Sequence, residues 1–365
     1  MVQTSKSQQT IHTSNRIMTT LDFTQVELKH LITHHVGNKL RDEKIELATE
    51  ETSLAVNTQD FLLRYFFLPI KAEEFFSFTH SVKIDMNEIY TIIGNSFSKQ
   101  KSFINSSQNI AKLLYEHSLH PRIKKGELNI AYFSNIVLDD KKIDAIGIFK
   151  SETHVPFLKM KNQKTKFTIH HDYGFEIKGI DKGCIIFNIG QKNGYKILLV
   201  DNANKLEEAQ YWKNDFLQVK PISNEFHKTN EFLGITKQFV TKQLSEDFEL
   251  SKADKIDLLN RSVEYFKTHS TFEKRDFEKK VFQENGIIKS FRNFDETYRV
   301  NYDLESNDSF EISPQAVKKQ VRVFKSILKL DKNFHIYIHG NRDLIQQGVE
   351  KDGRKFYKIY FEKEF

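Results

Sequence analysis

Apolar residues recur along this chain with two periods, and the alternation between them divides it into regions. In VELKHLITHHVGNK (residues 26–39), Val26, Leu28, Leu31, Ile32 and Val36 precede the turn signal Gly37-Asn38, which predicts an opening strand. In NTQDFLLRYFFLPI (57–70), Asn57 and Thr58 can cap a helix that carries Leu62, Tyr65 and Phe66 and ends near Pro69. Two more helical patterns follow, over 86–97 and 106–119, the second stopping before Pro121. The texture then changes to short apolar runs separated by turn residues: ELNIAYFSNIVL, KIDAIGIFKSE, KFTIHHDYGFEI, GCIIFNIG and YKILLVDNA. Asp139-Asp140 and Lys192-Asn193-Gly194 supply connections short enough for antiparallel hairpins.

From about Asn204 the helical period returns, over 205–217, 224–244, 252–267 and 272–284. Ser313 followed by Pro314 opens a further helix, SPQAVKKQVRVF. The end of the chain is strand-like, in FHIYIH, LIQQGVEK and KFYKIYFEK, and Asp352-Gly353 is a hairpin signal. Helices grouped before strands, not alternating with them, give an α+β class. The domains expected are a polar leader at 1–20, an α+β domain at 21–203, and a helical plus β-hairpin domain at 204–365.

Composition adds limits. At 365 residues two domains are the natural prior, and 39% hydrophobic and 13% aromatic residues, 32 of them Phe, are ample for packed interiors. No apolar run approaches the ~20 residues needed to cross a bilayer, so a cytoplasmic protein is expected. The single cysteine, Cys184, sits in an apolar segment and excludes a disulfide or cysteine metal cluster within one chain. The net charge of +6 is weakly basic and permits contact with a polyanion without requiring it.

Candidate chemistry is sparse. Asp144 on one strand with Glu176 and Lys178 on another is the arrangement of a Mg²⁺-dependent nuclease, but it also arises from the alternating charges of a half-solvated strand, and the bland reading is preferred. His34-His35 and His170-His171 are neighbours that point to opposite strand faces, and His335 and His339 stand four apart in a strand and turn; packed or solvated histidines are expected, with no metal and no cofactor. No phosphate loop, Gly-x-Gly-x-x-Gly or Gly-x-Ser-x-Gly elbow is present, and no enzyme is expected.

The positive charge is clustered. If the helix opened by Ser313 runs on, Lys318, Arg322, Lys325 and Lys329 form one stripe, with Lys319 alongside, beside the apolar row Val317, Val321, Phe324 and Leu328; FKSILKL also alternates as a strand would. A second cluster, Lys159, Lys161, Lys164 and Lys166, falls in an expected loop between strands. Both could meet phosphate, and both could be solvated faces.

Taken together, HHVGNK (34–39), HPRIKKGELNIAYF (120–133), AIGIFKSE (145–152), DKGCIIFN (181–188), AQYWKNDFL (209–217), LLNRSVEYF (258–266) and above all the block 312–345 resemble the bacterial nucleoid-associated protein family often called NdpA. The resemblance implies a cytoplasmic DNA-associated protein of the bacterial nucleoid without an established catalytic reaction, and it brings no site residues with it. Two functions follow. In the first, the two lysine clusters contact the backbone of duplex DNA with little sequence preference, and a homodimer would join two DNA segments. In the second, the protein is an adaptor that reaches the nucleoid through a DNA enzyme such as a topoisomerase or a repair complex.

Overall fold

The computed structural model describes residues 20–70, 74–98, 102–201, 211–302, 304–322, 324, 327–338 and 344–364. The chain clusters into two compact units, Met1–Lys220 and Pro221–Phe365, with the α+β mixture that the patterning predicts.

The first unit is a sheet with helices on both faces. Its elements in order are β1 (Leu21–Asp22), β2 (Glu27–Val36), β3 (Ile45–Glu46), α1 (Gln59–Phe67), β4 (Phe76–Phe78), α2 (Glu88–Phe97), α3 (Phe103–Glu116), β5 (Gly126–Leu138), β6 (Lys141–Ser151), β7 (Val155–Gln163), β8 (Lys166–Gly174), β9 (Lys182–Phe187), β10 (Lys196–Asp201), a π-helical turn (Tyr211–Leu217) and β11 (Val219–Pro221). The strand order is β11-β4-β10-β9-β6-β5-β2-β3, with β1 also on β5. Asp139 and Asp140 both take left-handed φ values, 50° and 61°, and close the β5–β6 hairpin as the sequence predicts. Asn87 caps α2 by accepting from the Tyr90 amide.

Alternation decides what each face buries. Ile130, Ile148 and Cys184 lie in register across β5, β6 and β9 and join Ile89, Ile93, Ile110 and Leu114 in one core. Burial pushes the Cys184 thiol well up, which leaves it an inert core residue. On the other face, Phe66 of α1 stacks on Phe149 at 4.5 Å and meets Phe133 edge-on at 5.9 Å. Two glycines make room for the Phe149 ring: a Cβ on Gly147 would lie 2.3 Å from it, and one on Gly183 2.7 Å.

His34 of β2 is buried, its Nδ1 accepting from the Ala48 amide at 3.0 Å and its Nε2 3.0 Å from Ser107 Oγ. Because Ser107 Oγ donates to the Ile104 carbonyl, it accepts from Nε2–H, and this tautomer is neutral. Burial pushes the His34 pKa down to about 4. His35, its neighbour, points to the other face and is half-buried.

The second unit comprises α4 (Glu225–Gln238), continued by a π-helical turn (Phe239–Gln243) into α5 (Leu244–Asp247), then α6 (Lys252–Thr268), β12 (Thr271–Glu273), α7 (Lys274–Phe277), a π-helical turn (Glu278–Phe282), α8 (Asn285–Asn301), β13 (Ser309–Glu311), α9 (Pro314–Val321), β14 (Ile327–Leu330), β15 (Phe334–Tyr337), β16 (Ile345–Val349) and β17 (Lys355–Ile359). Its core is phenylalanine-rich: Phe232 lies 4.2 Å from Phe272, which stacks on Phe310 at 4.6 Å, while Phe282 meets Phe291 at 4.7 Å. Gly353, at φ 86°, turns the β16–β17 hairpin as expected.

Three departures from the patterning have physical reasons. The helix expected over 272–284 begins instead as strand, because Thr271–Glu273 pairs with Ser309–Glu311. Helix α8 is not predicted by apolar spacing, since two positions on its buried face are Asp295 and Arg299, neutralised by each other at 2.8 Å. The helix from Ser313 does not run on: it ends at Val321, and Ile327–Leu330 pairs with Phe334–Tyr337. Of the helix expected over 205–217, residues 205–210 lie outside the described residues and 211–217 form the π-helical turn.

Two expectations follow. Gly183→Ala should cost about 1–3 kcal/mol by driving a methyl into the Phe149 ring, read as a lowered urea midpoint at unchanged m. For His34, the unfolded imidazole takes a proton near pH 6.5 and the folded one only near 4. Between those values the unfolded state binds more protons, so stability falls as pH drops through that window. Urea titrations at pH 7 and 5 should show a larger loss for the native chain than for His34→Gln.

Candidate nucleic-acid interface

Strands β6 and β9 are sheet neighbours, paired from Ala145 with Phe187 to Lys150 with Lys182, yet the chain between them does not turn tightly. It leaves the sheet at Ser151, runs out along β7, returns along β8 and rejoins at Lys182. With nine residues in each strand, this ribbon is about 30 Å long. Nearly every residue in it is exposed. The four lysines expected in a loop therefore stand on strands, apart from Lys164, which occupies the turn with a left-handed φ of 59°.

Residues opposite one another in an antiparallel pair share a face, so the register sorts the ribbon cleanly. One face carries Phe157, Lys159, Lys161, Lys166, His170 and Asp172. The other carries Leu158, Met160, Phe167, Ile169, His171 and Tyr173. Lys159 Nζ pairs with Asp172 Oδ2 at 2.5 Å, which holds that carboxyl below its usual range. Lys161, Lys164 and Lys166 are left unopposed by any other acid of the ribbon.

A buried charge cluster sets the root. Lys150 Nζ donates to the Lys124 carbonyl at 2.6 Å and lies 2.9 Å from Glu152 Oε1. Lys182 Nζ lies 3.7 Å from Glu152 Oε2 and 5.6 Å over the Tyr211 ring. Burial pushes the Lys150 pKa down, and Glu152 opposes that shift. Asp181 accepts from the Glu152 and Thr153 amides at 2.6 and 3.2 Å and from Thr153 Oγ1 at 3.1 Å, tying the outgoing chain to the returning one. Tyr65 of α1 completes the root, its hydroxyl 2.5 Å from Ser151 Oγ. Sequence reasoning missed these groups. The signal was a lysine at the inward end of each of two apolar strands, in FKSE and DKGC, flanking a long excursion without core residues.

The second basic group is smaller than the sequence suggests. Lys318 and Lys319 are exposed near the C-terminus of α9 and Arg322 caps it, where cations also complement the helix dipole. Lys319 Nζ lies 5.3 Å over the Phe226 ring. Lys329 is on β14, opposite His335, and is not part of a helical stripe with them; Lys325 lies outside the described residues. The apolar row does turn inward, but Val317 and Phe324 join the phenylalanine core while Leu328 joins a separate cluster with Ile256 and Ile345.

The nuclease arrangement does not assemble. Asp144, near the start of β6, accepts from Tyr132 Oη at 2.8 Å. Glu176 and Lys178 are exposed in a turn next to Phe175, whose ring packs on Tyr65 and His154 by the far end of β6. Seven residue rises along β6, about 23 Å, separate Asp144 from Ser151 at that end. Among the described residues no three His, Cys, Asp or Glu gather to hold a metal ion. His170, His171 and His335 are exposed, and His339 lies outside the described residues. In the second unit, a cavity of about 930 Å³ brings Lys274, Arg292 and Arg299 to Glu278 and Asp295, so its charges neutralise one another.

If Glu152 balances both root lysines, Glu152→Gln should destabilise the first unit by about 3–5 kcal/mol, measured by chemical denaturation, because two buried ammonium groups would lose their counter-charge.

No helix among the described residues is long and apolar enough to cross a membrane. No curated protein matches the chain. The family model described as nucleoid-associated protein YejK, however, matches residues 32–354, a span that takes in most of the sheet, the ribbon and its root, the phenylalanine core and both basic groups. The chain therefore belongs to this bacterial nucleoid-associated protein family.

Proposed function

We propose that this protein binds duplex DNA in the nucleoid with little sequence preference, and that the lysine face of the β7–β8 ribbon is its principal contact. The observation that carries the reading is the ribbon's placement: an exposed, firmly rooted two-stranded arm with Lys161, Lys164 and Lys166 free to meet phosphate. A two-stranded ribbon fits the major groove, and its length of about 30 Å is close to one helical turn of B-DNA. Lysine heads on flexible stems suit backbone contact, and bidentate base-reading groups are scarce on this face, which favours affinity over sequence discrimination. The exposed Lys318, Lys319 and Arg322 at the end of α9 form a secondary contact. The role is architectural, without a reaction to catalyse.

Counterion release supplies the test. Duplex binding should weaken steeply as salt rises, and changing Lys161, Lys164 and Lys166 to Glu should lower the slope of log K against log salt by about 3 while leaving the circular dichroism spectrum unchanged. Changing Lys318, Lys319 and Arg322 to Glu should have a smaller effect. An unchanged slope in the ribbon variant would remove the ribbon from the DNA surface. No duplex binding by the native chain at low salt would overturn the reading in favour of an adaptor that reaches DNA through another protein.

A further inference from the structure

We propose that the apolar face of the β7–β8 ribbon is covered by the same face of the ribbon in a second copy of this chain, so that the protein is a dimer joined through its arms. Leu158, Met160, Phe167, Ile169 and Tyr173 share this face and are 68%, 70%, 67%, 62% and 60% exposed. A lone two-stranded ribbon is at best marginally stable in water and needs a third strand or a packed face. The root cluster holds its base alone, and the rest requires a cover present whenever the protein is folded. A second copy of the chain meets that condition without any other component.

The face suits itself as a partner. It carries no Lys, Arg, Asp or Glu, only Asn162 and His171 among its large apolar groups, so a two-fold pairing opposes no like charges. The other face, with Lys159, Lys161 and Lys166, could not pair with itself on those terms. With its five large side chains three-fifths or more exposed, each copy offers about 600 Å² of apolar surface, and a face-to-face pair buries about 1,200 Å², the lower end of what specific, stable interfaces bury. Two ribbons packed in this way lie about 10 Å apart, as sheets do in a sandwich, with both lysine faces outward. Pairing does not depend on DNA binding. Joining two duplexes would follow from it, and that consequence alone rests on the function proposed above.

The test uses the full chain without DNA. Sedimentation equilibrium at micromolar concentration should give the mass of two chains for the native protein and of one for the Met160→Lys, Ile169→Glu variant, a twofold drop, with far-ultraviolet circular dichroism unchanged. As Cys184 is buried, an Ile169→Cys variant carries one reactive thiol and should be joined to its copy by a short bismaleimide. A native chain with the mass of one copy, as cover by its own residues 1–20 or by a different protein would give, overturns the proposal. So does a dimer that survives the double change, or one that gives no cross-link.

Discussion

The carboxylate of Glu152, enclosed between the ammonium groups of Lys150 and Lys182, is the interaction on which the ribbon's placement depends. Removing three charges from water costs several kcal/mol per ion, and the cost is recovered only where each charge keeps its partners at close range. Here Lys150 adds a carbonyl acceptor, Lys182 an aromatic face and the neighbouring Asp181 a clasp across the two chain crossings. A root of this kind has few alternative arrangements. Moving the arm by an ångström or two would expose one buried charge to an apolar surrounding, so what might have been a floppy insertion leaves the sheet in a set direction.

The two units fill their interiors by different means. In the sheet unit, β-branched residues such as Ile130 opposite Ile148 and Ile186 opposite Ile197 fit a pleated surface, and on the α1 side Phe66 and Phe149 stack where Gly147 and Gly183 leave space. In the helical unit, Phe232, Phe266 and Phe272 each meet Phe277 at a tilted or edge-on angle, while Phe266 stacks on Phe272. The segments AIGIFKSE and DKGCIIFN run through the first of these cores and meet at the charged root, so the same short stretches carry the packing glycines and the clamp.

How much of this could be read beforehand depended on how local the cause was. The β5–β6 hairpin was legible because Asp139-Asp140 suits two left-handed positions, and α2 because Ile89, Tyr90, Ile93 and Phe97 recur at helical spacing. The ribbon was not. Its turn is made by Lys164-Thr165, which gives none of the signal of Asn-Gly, and its lysine density outweighed the alternation of Leu158 and Met160 with Lys159 and Lys161. The spacing of Val317, Val321, Phe324 and Leu328 is helical in the sequence, yet the last lies on β14, whose partner β15 sets its course. Helix α8 was hidden by a buried ion pair standing where apolar residues belong. In each miss a pairing, of strands or of charges, overrode the apolar pattern.

The ribbon has two long edges as well as two faces, and each edge presents backbone amides and carbonyls with no third strand beside them among the described residues. Such edges invite strand addition, and proteins guard them with lysines, prolines and short lengths. Pro156 removes one amide from the start of β7, and Lys159, Lys161 and Lys166 place like charges where an added copy would have to lie. The residues that give the ribbon its basic face also keep copies of it from zipping edge to edge into a growing fibre.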